Sequence, residues 1–458
     1  IIITYLTALT ITACSCSSAH VERPWDGKAT DISNGRLVVS DNGRSLMHEN
    51  GIPFFWMGDT AWELFHRLSL EETETYLEDR RSKGFTVIQA VILKELGNIA
   101  EPNKNGLVVL HDNDPLKPDE RLFEYLDSVI RMAAEKGLYI GLLPTWGDKV
   151  DRQWGNGPVI FDSDNAWEYG RWLGRRYKDY PNIIWINGGD RSGGGDNFAV
   201  WDALAKGIKA EDPNHLMTYH PQGEHSSSMW FSNSDWLDFN TFQSGHAQDD
   251  YAIYQRLLLP DYAIAPARPV LDSEPRYENI PVRFDIGNGR FTAHDTRMAM
   301  YQSLFSGAFG HTYGANEIWQ MYAPPYGPIL NAEVPWREAL DFEGAADVIH
   351  ARRLLERFDA GSRRPATDLL LSGNTDNGDM AVATRGNGYA LVYMPFGTPA
   401  GIDMGQLSGE SDNFRISWYD PRTGNTVKAG KIRTKGRYDA IPPSVGAGND
   451  WILIIEAI

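Results

Sequence analysis

Between Phe54 and Phe358 the chain repeats one pattern eight times: a short apolar, β-branched segment, in most cases followed by a stretch with helical spacing. The strand-like segments are F54-F-W-M-G-D59, F85-T-V-I-Q-A-V91, 138–143, N182-I-I-W-I-N187, L216-M-T-Y-H220, W236-L-D-F-N-T-F242, 269–274 and H311-T-Y-G-A-N316. The first helix opens at S69-L-E-E72, a capping-box pattern, and ends at Gly84. A second, over 120–136, carries Leu122, Leu126, Ile130 and Ala133 on one face and stops at Gly137. Others are expected over 165–178, 198–210, 293–306 and 342–358. Strands alternating with helices pair in parallel through right-handed crossovers, and eight such units close into a (β/α)8 TIM barrel. A doubly wound open sheet competes, but it calls for a Gly-rich phosphate turn after its first strand, and G58-D-T-A-W62 is not one. Gly193–Gly195 lacks the Lys-Ser/Thr of a P-loop and reads as a flexible loop.

The flanks divide the rest. L37-V-V-S40 and S45-L-M-H48 form a hairpin around D41-N-G-R44. Beyond Arg364 helical periodicity gives way to alternating or apolar runs between turn residues, among them Y389-A-L-V-Y-M394, F414-R-I-S-W-Y419 and W451-I-L-I-I-E456. That texture predicts a C-terminal antiparallel β-sandwich. The expected organisation is a signal or lipoprotein segment over 1–20, a linker over 21–35, the barrel over 36–362 and the sandwich over 363–458. The 1–13 stretch is apolar and uncharged, with the length of a signal-peptide core, and I11-T-A-C14 resembles a lipoprotein signal in which Cys14 is lipidated. A plain secretory signal cleaved near Ala19 is the alternative. Both cysteines lie here, so the folded part has no disulfide, thiolate metal site or cysteine nucleophile.

Chemistry is read from strand ends, because a barrel builds its site where the carboxyl ends of its strands converge. W185-I-N-G-G-D190 and V270-L-D-S-E274 each run a buried strand into a carboxylate. Two carboxylates from different strands are the minimal equipment for glycosidic cleavage. Asp190 follows two glycines that permit a sharp turn at the rim, although an Asp there equally caps the next segment. Glu274 shares a face with Val270 and Asp272, and Asp272, one layer deeper, reads as an orienting group. Asp59, with Trp62 just beyond it, closes the first strand, where it grips a sugar hydroxyl or caps the next segment. Gln89, Trp146, His220, Gln243 and Asn316 lie at or just past the ends of other strands and are expected to complete a sugar pocket. Glu317 faces away from Asn316 by strand alternation.

Other chemistries lack their signatures. No metal or cofactor is expected: the eleven histidines show no H-E-x-x-H spacing, and H220-P-Q-G-E-H225 sits in a loop without a third ligand. There is no G-x-S-x-G elbow. A net charge of -18 argues against nucleic acid or anionic membrane as partner. Fifteen Trp and twenty Tyr suit stacking on sugar rings as well as filling a barrel core.

G51-I-P-F-F-W-M-G-D-T-A-W-E-L-F65, K83-G-F-T-V-I-Q-A90, W185-I-N-G-G-D190 and the run from Asp272 to Pro275 resemble the apiosidase-like glycoside hydrolases. W418-Y-D-P-R-T-G424 resembles the β-sandwich, labelled collagen-binding, that follows the barrel in that family. The resemblance spans the chain from about residue 35. It implies Asp190 as acid/base and Glu274 as nucleophile of a retaining enzyme, and an apiosyl linkage in the plant pectin rhamnogalacturonan II as substrate. It further implies export to the surface or periplasm of a Gram-negative bacterium, with the membrane reached only through a lipid on Cys14. A glycosidase of the same mechanism on another plant or host glycan, and a non-catalytic glycan-binding surface lipoprotein, are the competing expectations.

Overall fold

A computed structural model describes residues 23–247, 251–372, 378–407, 409–433 and 436–458; the expected signal segment with Cys14 and Cys16 lies outside them. Eight parallel strands follow one another as β1 (Met57–Thr60), β2 (Val87–Val91), β3 (Tyr139–Leu143), β4 (Ile183–Arg191), β5 (Met217–Pro221), β6 (Asn240–Phe242), β7 (Val270–Asp272) and β8 (Gly310–Tyr313). They pair in the order β5-β4-β3-β2-β1-β8-β7-β6. Side chains close the β5/β6 seam: Thr218 Oγ1 donates to the Phe239 carbonyl over 2.7 Å and Thr241 Oγ1 to that of Tyr219. The backbone N–H of Asp238 also donates to the Met217 carbonyl at 2.9 Å. The expected TIM barrel is therefore present, and every strand from β1 to β8 is buried along most of its length, as parallel strands under helices must be.

The helices run largely where the periodicity places them. α1 (Leu70–Ser82) starts with the expected capping box: the Glu72 N–H donates to Ser69 Oγ, and Glu72 Oε2 accepts from the Ser69 N–H. α2 (Glu120–Glu135), α3 (Ser163–Tyr177), α4 (Asn197–Glu211), α5 (Ala293–Phe305) and α6 (Glu343–Leu355) complete the outer layer. After β5 and β6 the described residues form short helices, Ser228–Phe231, Ala252–Arg256 and Leu258–Ala263. The expected hairpin extends to three antiparallel strands, Leu37–Val39, Leu46–His48 and Pro53–Phe54. Its Leu37, Leu46 and Phe54 share an apolar cluster with Tyr139 and Ile184, and the Phe54 ring meets Tyr139 edge-on at 5.2 Å. This ribbon plugs the barrel at its amino-terminal end. Ligands are thereby left the opposite mouth.

The sandwich comprises β9 (Arg364–Pro365), β10 (Val382–Gly386), β11 (Tyr389–Met394), β12 (Ala400–Asp403), β13 (Phe414–Tyr419), β14 (Thr426–Ile432), β15 (Arg437–Ala440) and β16 (Trp451–Ala457). Six strands form one antiparallel sheet in the order β9-β10-β11-β16-β13-β14, and β12 pairs with β15 in the other. Val392, Leu453, Ile455 and Trp418 face Ile402 in the sandwich core. The alternate residues Leu391, Tyr393, Ile452 and Ile454 belong to the barrel's own apolar cluster. That double burial is why W451-I-L-I-I reads as a continuous apolar run. Arg297 of α5 crosses the junction, meeting Asp347 of α6 at 2.7 Å and Asp450 at 3.0 Å, all three buried.

Candidate active site

Backbone geometry at the end of β4 aims Asp190. Gly188, Gly189 and Asp190 take φ values of 91°, 132° and 56°, and the β4/β5 register shifts between Gly188 and Arg191. This is a bulge that re-aims one side chain at the barrel rim. A Cβ on Gly188 would stand 2.5 Å from the His220 carbonyl oxygen, and one on Gly189 would stand 3.0 Å from the Gly147 nitrogen. Only glycine fits those two positions, whereas Asp is among the residues that tolerate the left-handed region. The bulge leaves the Asp190 carboxyl facing the cavity, where Trp154 Nε1 donates to its Oδ2 over 2.7 Å. The loop bearing Trp154 is held by the next residue along: the Arg191 guanidinium lies 4.3 Å from the Trp154 ring centroid, and Arg191 Nε donates to the Asp151 carbonyl at 2.7 Å.

Glu274 stands two residues beyond β7, with backbone pairing continued past the strand. Ser273 N–H donates to the Phe242 carbonyl, and the Glu274 carbonyl accepts from the Gly245 N–H, both at 2.9 Å. Two imidazoles grip its carboxylate. His220 Nε2 lies 2.8 Å from Oε2, and His246 Nε2 lies 3.1 Å from Oε1. His220 is itself fixed, with Nδ1 3.2 Å from Ser273 Oγ and its ring wedged beside Trp62 (5.2 Å) and Trp146 (6.0 Å). The His246 ring packs 4.4 Å from Tyr277.

The two carboxyls are held in opposite states. Burial and the negative charge of Glu274 push Asp190 up to about 6, against the pull of His220, the Trp154 hydrogen bond and Arg191. Burial alone would raise Glu274 too, but its contacts with His220 and His246 outweigh that and hold it at about 2. Near pH 5 one is a proton donor and the other an anion, the division of labour that paired catalytic carboxyls require. Both line a single cavity of about 780 Å³ at the carboxyl ends of the strands. Trp62, Trp146, Trp154, His246, Tyr277 and Trp319 contribute to its walls, so aromatic faces surround the acids.

Of the residues expected there, Asp190, Glu274, Trp62, Trp146 and Gln243 line the cavity. His220 acts from behind Glu274. Four expectations are corrected. Asp59 points outward, between the barrel wall and α1, where its Oδ2 accepts 2.6 Å bonds from Tyr76 Oη and Arg80 Nε with all three side chains buried. Gln89 lies inside the barrel below the cavity, its Nε2 donating to the Ser273 carbonyl at 3.0 Å. Asn316 braces the rim from within: Nδ2 donates to the Leu330 carbonyl at 2.8 Å and Oδ1 accepts from Trp319 Nε1 at 3.1 Å. Asp272, expected one layer below Glu274 on the inward face, instead lies with Val270 on the helix-facing side of β7, where it accepts from Ser244 Oγ at 2.7 Å while burial pushes it up to about 7. Sequence reading missed Glu95, Trp154, His246 and Tyr277, all loop residues. The one signal for His246 is S244-G-H246 just beyond β6.

A parallel barrel whose mouth carries two oppositely poised carboxyls amid aromatic side chains defines a glycosidase. The model described as "Apiosidase-like, catalytic domain" matches residues 40–361, and that described as "Putative collagen-binding domain of a collagenase" matches residues 365–456. A solved structure described as a glycoside hydrolase is similar at 37% identity and TM-score 0.85, covering 93% of this chain and 97% of that one. A glycoside hydrolase family 5 structure from Bacteroides vulgatus is similar at 34% identity and TM-score 0.86, covering 93% of this chain and 94% of that one. A structure from the same species described as "a putative glycoside hydrolase", 15% identical with TM-score 0.65 and covering 93% of this chain and 83% of that one, shares the architecture. Comparison with curated proteins found no match. The chain belongs to the apiosidase-like glycoside hydrolases, and it is a glycoside hydrolase.

Proposed function

We propose that this glycosidase works with retention of anomeric configuration, with Glu274 as nucleophile and Asp190 as acid/base, on an apiosyl linkage in the rhamnogalacturonan II of plant pectin. The observation that carries the mechanism is the opposite poise of Asp190 and Glu274 within one cavity. Glu274, ionised, attacks the anomeric carbon while Asp190 delivers its proton to the departing oxygen, leaving a glycosyl ester on Glu274. Asp190, now ionised, takes a proton from water, which breaks that ester and restores both groups. The His220 and His246 contacts fix the nucleophile's direction, and Trp154 fixes that of the acid. The substrate assignment is supported by the family match over the barrel.

The test is product analysis on rhamnogalacturonan II oligosaccharides beside a panel of hemicellulosic ones, with the anomer first formed followed by NMR. Release of apiose as the retained anomer supports the proposal. Release of another sugar replaces the substrate, an inverted first product replaces the mechanism, and binding without hydrolysis replaces both. We also propose export with lipidation at Cys14, which labelling with a fatty-acid analogue in cells, with Cys14→Ser as control, tests directly.

A further inference from the structure

A third carboxyl faces the cavity, and the mechanism makes no use of it. Glu95 follows β2 and lines the same walls as Asp190, Trp146 and Trp154. Its backbone is pinned from below: the N–H groups of Glu95 and Leu96 donate to Glu63 Oε1 at 3.1 and 2.9 Å, and the neighbouring Lys94 carbonyl accepts from Lys149 Nζ at 2.9 Å. The backbone that presents the carboxyl is thus held in place. Its Oε2 is buried and has no hydrogen-bond partner among the described residues. An acceptor left so costs about 1–3 kcal/mol unless something fills its place. An unpaired polar group in a residue that lines a ligand cavity calls for a functional explanation.

We infer that Glu95 is a substrate-binding residue whose carboxyl hydrogen-bonds a hydroxyl of an uncharged sugar ring seated beside Asp190. The surroundings decide its protonation and hence the chemistry it recognises. Glu63, Asp148, Asp190 and Glu274 all bear on it, and with burial they raise its pKa well above the ordinary glutamate range. The nearby cations are engaged elsewhere: Lys149 with Asp148 and the Lys94 carbonyl, Lys94 with the Glu101 carbonyl, and Arg191 with the Asp151 carbonyl. In the neutral form that such a raised pKa favours, Glu95 donates one hydrogen bond and accepts another, the pairing a hydroxyl offers. A uronate carboxylate at that position would face Asp190 and Glu274 with no unengaged cation among these groups. The position selects a neutral sugar.

This inference rests on reading the cavity as a glycan site, so its test has two arms. In the first, Glu95→Gln and Glu95→Ala are compared with wild type on rhamnogalacturonan II oligosaccharides. The alanine variant is expected to raise KM about tenfold with kcat and Tm little changed. Glutamine, which keeps a donor and an acceptor without charge, is expected to restore most of that loss. An alanine variant with wild-type KM overturns the binding role, and a glutamine variant as impaired as alanine overturns the neutral acid. If wild type cleaves nothing in the mixture, the functional reading fails and the second arm still decides. The infrared difference spectrum of wild type minus Glu95→Gln at neutral pH should contain the C=O stretch of a protonated carboxylic acid. A carboxylate band in its place overturns the inference.

Discussion

Trp154 donates its indole N–H to Asp190 Oδ2 over 2.7 Å, joining the most exposed tryptophan of the cavity wall to its least acidic catalytic candidate. A donor to a carboxylate favours the ionised form, so this bond lowers the pH at which Asp190 gives up its proton. Trp154→Phe keeps a ring and removes the donor. We expect the alkaline limb of kcat/KM to move to higher pH, with a fall of up to about tenfold at the optimum. An unmoved limb would show that Asp190 does not set it.

The wild-type profile has its own sign. Glu274 must be ionised, which holds above about 2, and Asp190 must be protonated, which holds below about 6. kcat/KM should be greatest on the acid side of neutrality and decline as pH rises through about 6. A rate that still climbs beyond neutrality would contradict these roles.

Removing either carboxyl should separate chemistry from folding. Asp190→Asn should cost about 10²–10⁴-fold in kcat with an aryl-free leaving group, the usual worth of general acid–base assistance. Glu274→Gln should abolish turnover while circular dichroism and Tm stay near wild type. It should also lower the Asp190 pKa, since a negative neighbour has gone, and NMR titration of the Asp190 carboxyl would read this. Near-normal rates in Glu274→Gln would remove that residue from the mechanism.

Asp59 offers the opposite contrast. Its ion pair with Arg80 at 2.6 Å is fully buried, so Asp59→Ala takes one of two carboxylates from a buried guanidinium and leaves it with Asp79 at 2.7 Å. The loss of stability should be about 3–5 kcal/mol, read by urea unfolding. KM of the folded enzyme should hardly change. A large KM effect without a stability change would return Asp59 to the sugar pocket.

The bulge carries a further expectation. Gly188→Ala places a Cβ 2.5 Å from the His220 carbonyl oxygen at a φ of 91°. Stability should fall by more than about 1 kcal/mol, and kcat should fall with it because Asp190 is re-aimed. Thermal melts and single-turnover rates would measure both.

Why Asp59 misled and Asp190 did not is a matter of faces. At the start of β1, Trp56, just before the strand, belongs to the apolar cluster that includes the barrel-floor ribbon, while Met57 belongs to the cluster that includes the helices. Two-residue alternation then carries Asp59 outward with Met57. Both faces of a parallel strand are buried, so polarity along the sequence does not say which is inward. The end of β4 escaped that ambiguity because two glycines mark the bulge. The eight strands and the Ser69 capping box were legible because period and capping are local properties. Glu95, Trp154 and His246 sit on connections, where no period exists and the barrel alone brings distant segments together.

β16 spans positions 451–457 yet lies mid-sheet, between β11 and β13, with both its faces covered. Until residue 457 has been synthesised, neither flank of that sheet has its neighbour, and the apolar sides of α5 and α6 stay wet. Barrel and sandwich are accordingly expected to fold as one unit and not two. β16 is a clasp inserted last into a waiting slot, and a chain cut short at the family boundary near residue 361 is expected to yield a sticky barrel in place of a trimmed catalyst.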